Sequence, residues 1–170
     1  MKALLRVLDG ATEALNLLGS VLIVGLMVLI GADVIGRGIF ASPIPGVPEM
    51  VSLSIVAIVF LQAPAALRAG RLTRSDAILT RIIRANPRAA RWLESAMDLA
   101  AIAVIAVIFN ATLPLFQRSW VRNDFVGAIG DFTAPTWPVK FVILVGTGVL
   151  VFQFAARILR RHMRAQNDPV

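Results

Sequence analysis

Between Glu49 and Arg68 the chain carries no charged residue. At ~1.5 Å per helical residue that run reaches across a hydrocarbon core ~30 Å thick. A proline-rich turn, Ser42-Pro43-Ile44-Pro45-Gly46-Val47-Pro48, leads into it, and Arg68, Arg71 and Arg74 follow in quick succession. An apolar span with a proline hinge at one end and clustered arginine at the other fixes a membrane crossing and its direction, because positive charge stays on the cytoplasmic side. Pro64 lies inside the run, so a helical hydrogen bond is lost one turn back and a kink is expected near Phe60. Gln62 is placed to satisfy the freed backbone groups or to bond a neighbouring helix.

Three further runs have the same character. Ala14 to Ala32 is free of charge. It is too long for a signal-peptide core and precedes no small-residue cleavage site, so it reads as an uncleaved anchor. Gly19, Gly25 and Gly31 offer close helix approach there. Asp33 and Arg37 follow at i and i+4, the spacing of a favourable helical ion pair. They sit at the exit of the span, where charge costs less than the ~2.5–3.5 kcal/mol of the bilayer centre. An interfacial pair therefore fits better than a proton site. The third run, Leu99–Gln117, is rich in alanine in its first half, which suits tight packing by another helix. Asn110, Thr112 and Pro114 cluster in its second half, where bonding between helices is the ordinary expectation. Phe141–Ala156 is the fourth run, with Pro138 suited to a first helical turn and Lys140 expected to snorkel outward. The spans fall at about 14–35, 50–67, 98–117 and 138–157 of a single membrane domain spanning 1–170.

The flanking segments are amphipathic. Lys2, Arg6, Asp9 and Glu13 share one face of a short N-terminal helix, with Leu4, Leu5, Leu8 and Ala11 opposite, as expected of an interfacial lead-in. Residues 68–97 read as a cytoplasmic amphipathic connection. Asp76 opens a short helix there, Thr73 or Ser75 caps it, and Arg81 and Arg84 suit its C-terminal end. Asn86-Pro87 then starts a second helix, with asparagine as cap and proline in the first position. In the outer loop, 118–140, Trp120, Phe125, Phe132 and Trp137 read as an interfacial aromatic belt.

Composition narrows the function. The chain is 58% hydrophobic and 16% charged, against ~45–50% and ~25% for a soluble domain. Its mean hydropathy is +0.79. A net charge of +7 raises nucleic acid as a partner, but the arginines flank apolar runs, where they orient spans and meet anionic headgroups. Thirteen Lys and Arg residues fall on the side of both termini and the 68–97 connection, and four (Arg37, Arg118, Arg122, Lys140) on the other, so both termini are expected in the cytoplasm. With no cysteine and a single histidine, His162, neither a disulfide nor a histidine-based metal site is expected, and no cofactor. No P-loop, HExxH, GxSxG or dinucleotide fingerprint occurs, so catalysis is not expected. Asp33, Glu49 and Asp98 all sit at span edges. A self-sufficient pump keeps an ionisable group within its pathway, so the edge placement favours a supporting subunit. The expected fold class is an all-α integral membrane protein with four transmembrane helices, short amphipathic interfacial helices and both termini inside.

The pattern Arg37-x-x-Phe40-x-x-Pro43-Ile44-Pro45-Gly46-x-x-Glu49, then an uncharged span, then Arg68-x-Gly70-x-x-x-x-x-Asp76, resembles the small membrane subunit (DctQ type) of the tripartite ATP-independent periplasmic (TRAP) transporters. Ser119-Trp120, Pro135-x-Trp137-Pro138 and the glycine-bearing last span add to the likeness, which covers most of the chain. It departs at Leu72 and Ser75, where many members have histidine and valine, so any role of that histidine does not carry over. The resemblance implies a bacterial inner-membrane complex. A periplasmic solute-binding protein would deliver an organic acid to a large membrane subunit, which moves it on an ion gradient. The small subunit would pack beside the large one as scaffold. Arg37, Glu49, Arg68 and Asp76 are then the expected structural or subunit-interface residues at the span ends.

Two other readings come from the residues. A free-standing homodimeric proton-coupled exporter would use Glu49 or Asp33 as carrier, against their edge positions. A membrane enzyme or redox anchor would have almost nothing with which to ligate haem or metal.

Overall fold

The computed structural model describes residues 2–70, 87–128 and 132–167. Asp76 and the expected helix that it opens lie outside these residues. Four helices dominate: α1 (Lys2–Phe40), α2 (Val47–Arg68), α3 (Pro87–Arg122) and α4 (Trp137–Asn167). A two-stranded antiparallel hairpin, β1 (Phe125–Ala128) and β2 (Phe132–Pro135), joins α3 to α4. All four helices are long and apolar enough to cross a membrane, and the chain is a multi-pass membrane protein.

Two helices are longer than the sequence suggested. The lead-in and the first span form one helix of 39 residues, about 58 Å at ~1.5 Å per residue. Gly10 does not interrupt it, because with both flanks helical and no proline a single glycine costs only about 1 kcal/mol. Likewise α3 begins at Pro87 and continues through the third span for 36 residues. The segment read as a separate surface helix is its first part.

The helices pack in the order α1, α2, α4, α3, with a lighter contact between α1 and α4. Helices α2 and α4 therefore hold the interior. Ala57, Leu61, Pro64 and Leu67 of α2 recur every three or four residues and are buried, as are Leu144, Phe154 and Ala156 of α4. Close approach between the two rests on Gly146, where an added Cβ would collide with the Phe60 carbonyl. In the same way Gly19 of α1 lies under Gln62, whose Cγ would be 2.7 Å from an added methyl. Gly25 and Gly31 face open space, so only Gly19 of the three expected packing glycines meets a neighbour.

The side-chain bonds of α3 also differ from expectation. Asn110 donates to the Ala106 carbonyl at 2.9 Å and Thr112 to the Ile108 carbonyl at 2.7 Å. Both bonds run one turn back along their own helix rather than across to another, as short polar side chains do when no partner is within reach.

Since Asp9 of α1 meets Arg160 of α4, the two termini share one end of the molecule. The hairpin and the proline-rich turn share the other.

Candidate functional site

The ion pairs of the described residues gather at the two ends of the helices, leaving the middle without charge. At the termini end, Asp9 is the hub. Arg160 of α4 donates Nη2 to both of its carboxylate oxygens at 3.1 Å. Arg68 of α2 lies 3.7 Å from the same carboxylate and 3.6 Å from Glu13, and donates to the Asp9 backbone carbonyl at 3.4 Å. One acidic turn of α1 thus holds the ends of two other helices. Just inside, the Gln153 amide donates to the Thr12 hydroxyl at 2.7 Å, and Thr12 donates to the Leu8 carbonyl at 2.9 Å. The fourth helix joins through Asp98 of α3, which is 1% exposed and 3.9 Å from Arg157.

At the hairpin end, Asp33 closes the turn between α1 and α2. Its Oδ2 accepts from Arg37 Nη2 at 2.8 Å, and its Oδ1 accepts from the Ile44 backbone N–H at 2.9 Å. The backbone bond satisfies a donor that the proline-rich turn leaves free, since Pro43 and Pro45 on either side of Ile44 bring none. Gly46 then takes the left-handed conformation, φ +80°, before α2. The Phe132 ring lies against Gly46, where a Cβ would occupy the same space. The hairpin is thereby seated on the turn.

A second polar knot lies beside it. Ser119 donates to Asp124 Oδ2 at 2.9 Å, and Thr136 donates to the Asp124 carbonyl at 3.1 Å. Lys140 turns inward to the Ser119 hydroxyl and lies 3.9 Å from Asp124. It does not extend outward alone as the sequence suggested, because the hairpin brings an acid within its reach. On the outer side of this knot Trp120 and Trp137 pack edge to face at 4.8 Å, and Phe116 lies 6.0 Å from Trp120 and 5.9 Å from Phe141. With Gln117 and Val121 these rings border an open apolar cavity of about 500 Å³.

The residues singled out from sequence fall as follows. Arg37 pairs with Asp33 on its own helix. Arg68 pairs with Asp9 and Glu13 rather than with another of the four. Glu49 sits half-buried in the first turn of α2, where a carboxylate suits the helix dipole, and makes no ion pair among the described residues. Asp76 lies outside them. The three described residues, Arg37, Glu49 and Arg68, are not brought together. Sequence reading missed Thr12 and Gln153 and did not pair Asp9 with Arg160 or Arg68, because these partners lie about 60 to 150 residues apart, beyond any local pattern. It also missed the knot of Ser119, Asp124 and Thr136, where the threonine directly after Pro135 was the available signal.

Among the described residues no group of three or more His, Cys, Asp or Glu side chains is placed to hold a metal ion. The arrangement fastens helices to one another at both membrane faces. Comparison with family models matches residues 26–164 to the family described as tripartite ATP-independent periplasmic transporters, DctQ component. No curated protein and no solved structure matches the chain.

Proposed function

We propose a scaffold role for this chain within a transporter, because it belongs to the DctQ component family of the tripartite ATP-independent periplasmic transporters. It is the small permease subunit, set in the bacterial inner membrane with both termini in the cytoplasm. It packs beside a large membrane subunit that takes up an organic acid by ion-coupled symport, the acid being delivered by a periplasmic binding protein. The chain itself is not an enzyme and moves no substrate. Arg37, Glu49, Arg68 and Asp76 serve at span ends as structural or interface residues.

The observation that carries this reading, beside family membership, is where the acids are spent. Asp33 and Asp9 are each held by arginine, and Asp33 also by a backbone N–H. Groups so engaged suit fixed helix ends better than a proton pathway, which counts against Asp33 as an exporter's carrier, while Glu49 lies in the first turn of its helix at the edge of the span. Both edge helices, α1 and α3, also leave large apolar side chains uncovered along their length, as a subunit does that shares the bilayer with a larger neighbour.

Uptake into cells lacking the transporter tests this. The chain, its large subunit and the binding protein together should accumulate a labelled organic acid, and omission of the chain should abolish accumulation. Transport by the chain alone, lost on Glu49→Gln, would instead establish the exporter.

A further inference from the structure

Helix α3 carries an exposed seam whose amide, Asn110, lies deeper in its span than Asn16 of α1, the exposed amide seven residues from Asp9. Ala100, Ala103, Val107, Asn110, Pro114 and Gln117 recur at alternating spacings of three and four, and all are exposed. That is the 3.5-residue repeat by which one helix follows another. The decisive members are polar. Asn110 lies 12 residues from Asp98 and 9 from Ser119, so about 18 Å and 14 Å from the two polar ends of the span. This is deep in a core ~30 Å thick whichever end faces the cytoplasm.

At that depth two acceptors are left short of a donor. The Asn110 side-chain amide is used once, toward Ala106, and its oxygen has no partner among the described residues. Pro114, four residues on, brings no N–H to the Asn110 backbone carbonyl. Lipid offers no donor to either, and polar groups left so in hydrocarbon are costly. Across the same depth α1 shows the lipid Val21, Val24 and Val28, which need nothing. The seam therefore suits a protein helix, and the face of α1 that carries Val21, Val24 and Val28 suits lipid.

The aromatic cavity continues the seam. Gln117 and Val121 are both seam positions and border the cavity formed by Phe116, Trp120, Trp137 and Phe141. A second copy related by a two-fold axis along the helices would bring its own Gln117 and Val121 to that level, and neither is large and apolar. A partner of different sequence can place a large apolar side chain directly opposite Gln117 and Val121.

We propose that the α3 seam centred on Asn110, with the aromatic cavity at its hairpin end, is the surface on which a transmembrane helix of the large subunit docks. That helix carries a hydrogen-bond donor, such as Ser, Thr, Asn or Gln, at the depth of Asn110. About two turns nearer the hairpin end it carries a large apolar side chain that enters the cavity. The inference rests on the proposed function.

Because the chain has no cysteine, Ala103→Cys and Val107→Cys on the seam, and Val24→Cys and Val28→Cys on α1, each give one attachment point for a maleimide–diazirine cross-linker. The chain is co-expressed with its large subunit and irradiated in the membrane. Adducts with the large subunit are expected from the seam positions and at least several-fold fewer from α1. Asn110→Leu should lower the ratio of large subunit retained in detergent about threefold, the scale of one interhelical bond, while the chain alone melts unchanged.

Co-purification of the large subunit with adducts only from α1 would overturn the docking face and leave the proposed function standing. Adducts from the seam to a second copy, or to lipid alone, would overturn it too. Failure of any large subunit to co-purify would overturn the proposed function and the docking face with it.

Discussion

Gln153 of α4 donates to the Thr12 hydroxyl of α1 at 2.7 Å, with both side chains buried and 141 positions apart in the chain. Because the Thr12 hydroxyl in turn donates to the Leu8 carbonyl, the Gln153 amide N–H, the hydroxyl and the carbonyl form one chain of hydrogen bonds. The bond supplies direction to a contact that is otherwise apolar. Interhelical bonds of this kind average ~0.6 kcal/mol and reach ~1.7. A double-mutant cycle of Thr12→Val and Gln153→Leu, read by thermal unfolding in detergent, should return a coupling in that range. Strictly additive losses would show that the two side chains do not act together.

Asp9 holds Arg160 and Arg68, both more than a third exposed, so each pair contributes about 1 kcal/mol or less. Asp9→Asn should lower the unfolding midpoint by a few degrees at low salt. The difference from wild type should shrink in about 1 M salt, where screening shortens the reach of charge to ~3 Å. Asp9→Arg should cost more than Asp9→Asn, since three cations would then converge.

The Asp33 carboxylate does two tasks, and two substitutions separate them. Asp33→Asn keeps an oxygen for the Ile44 N–H and loses the Arg37 pair, so a small loss is expected. Asp33→Ala loses both, so a larger loss is expected. Limited proteolysis between residues 41 and 46 should be faster in Asp33→Ala than in Asp33→Asn. Equal rates would mean that the backbone bond does not hold the turn.

Two glycines on different helices make a paired test of packing. Gly146→Ala places a methyl against the Phe60 carbonyl, which cannot rotate away, so a loss of about 1–3 kcal/mol is expected as α2 and α4 separate. Gly25→Ala meets nothing within 4 Å and should be neutral or stabilising by up to about 1 kcal/mol, alanine being the better helix former. Unfolding midpoints of the two variants should move in opposite directions or by very different amounts.

The four crossings were legible because charge is excluded over a length that only a membrane helix needs. The proline-rich turn and the helix start at Pro87 were legible because proline has few backbone conformations. The Asp33–Arg37 pair came from i, i+4 spacing alone. What escaped was everything set by which helix lies beside which. Gly19, Gly25 and Gly31 look alike in sequence, yet one is covered and two are open, because α1 touches α2 along one side only. Arg68 was singled out without its partner, since Asp9 lies 59 residues earlier. The hairpin of Phe125–Ala128 and Phe132–Pro135 was read as loop, because four-residue strands rich in glycine and proline carry almost no periodic signal. Its register, Phe125 opposite Pro135 and Ala128 opposite Phe132, is what brings Phe132 to Gly46 and Asp124 to Lys140.

The most direct test of the scaffold role is a mild-detergent pull-down of the tagged chain from its native membrane, with partners identified by mass spectrometry and their ratio measured. Recovery in equal ratio with one large polytopic membrane protein is the predicted result. Recovery of the chain alone, as a stable homodimer, would contradict the account and return attention to Glu49.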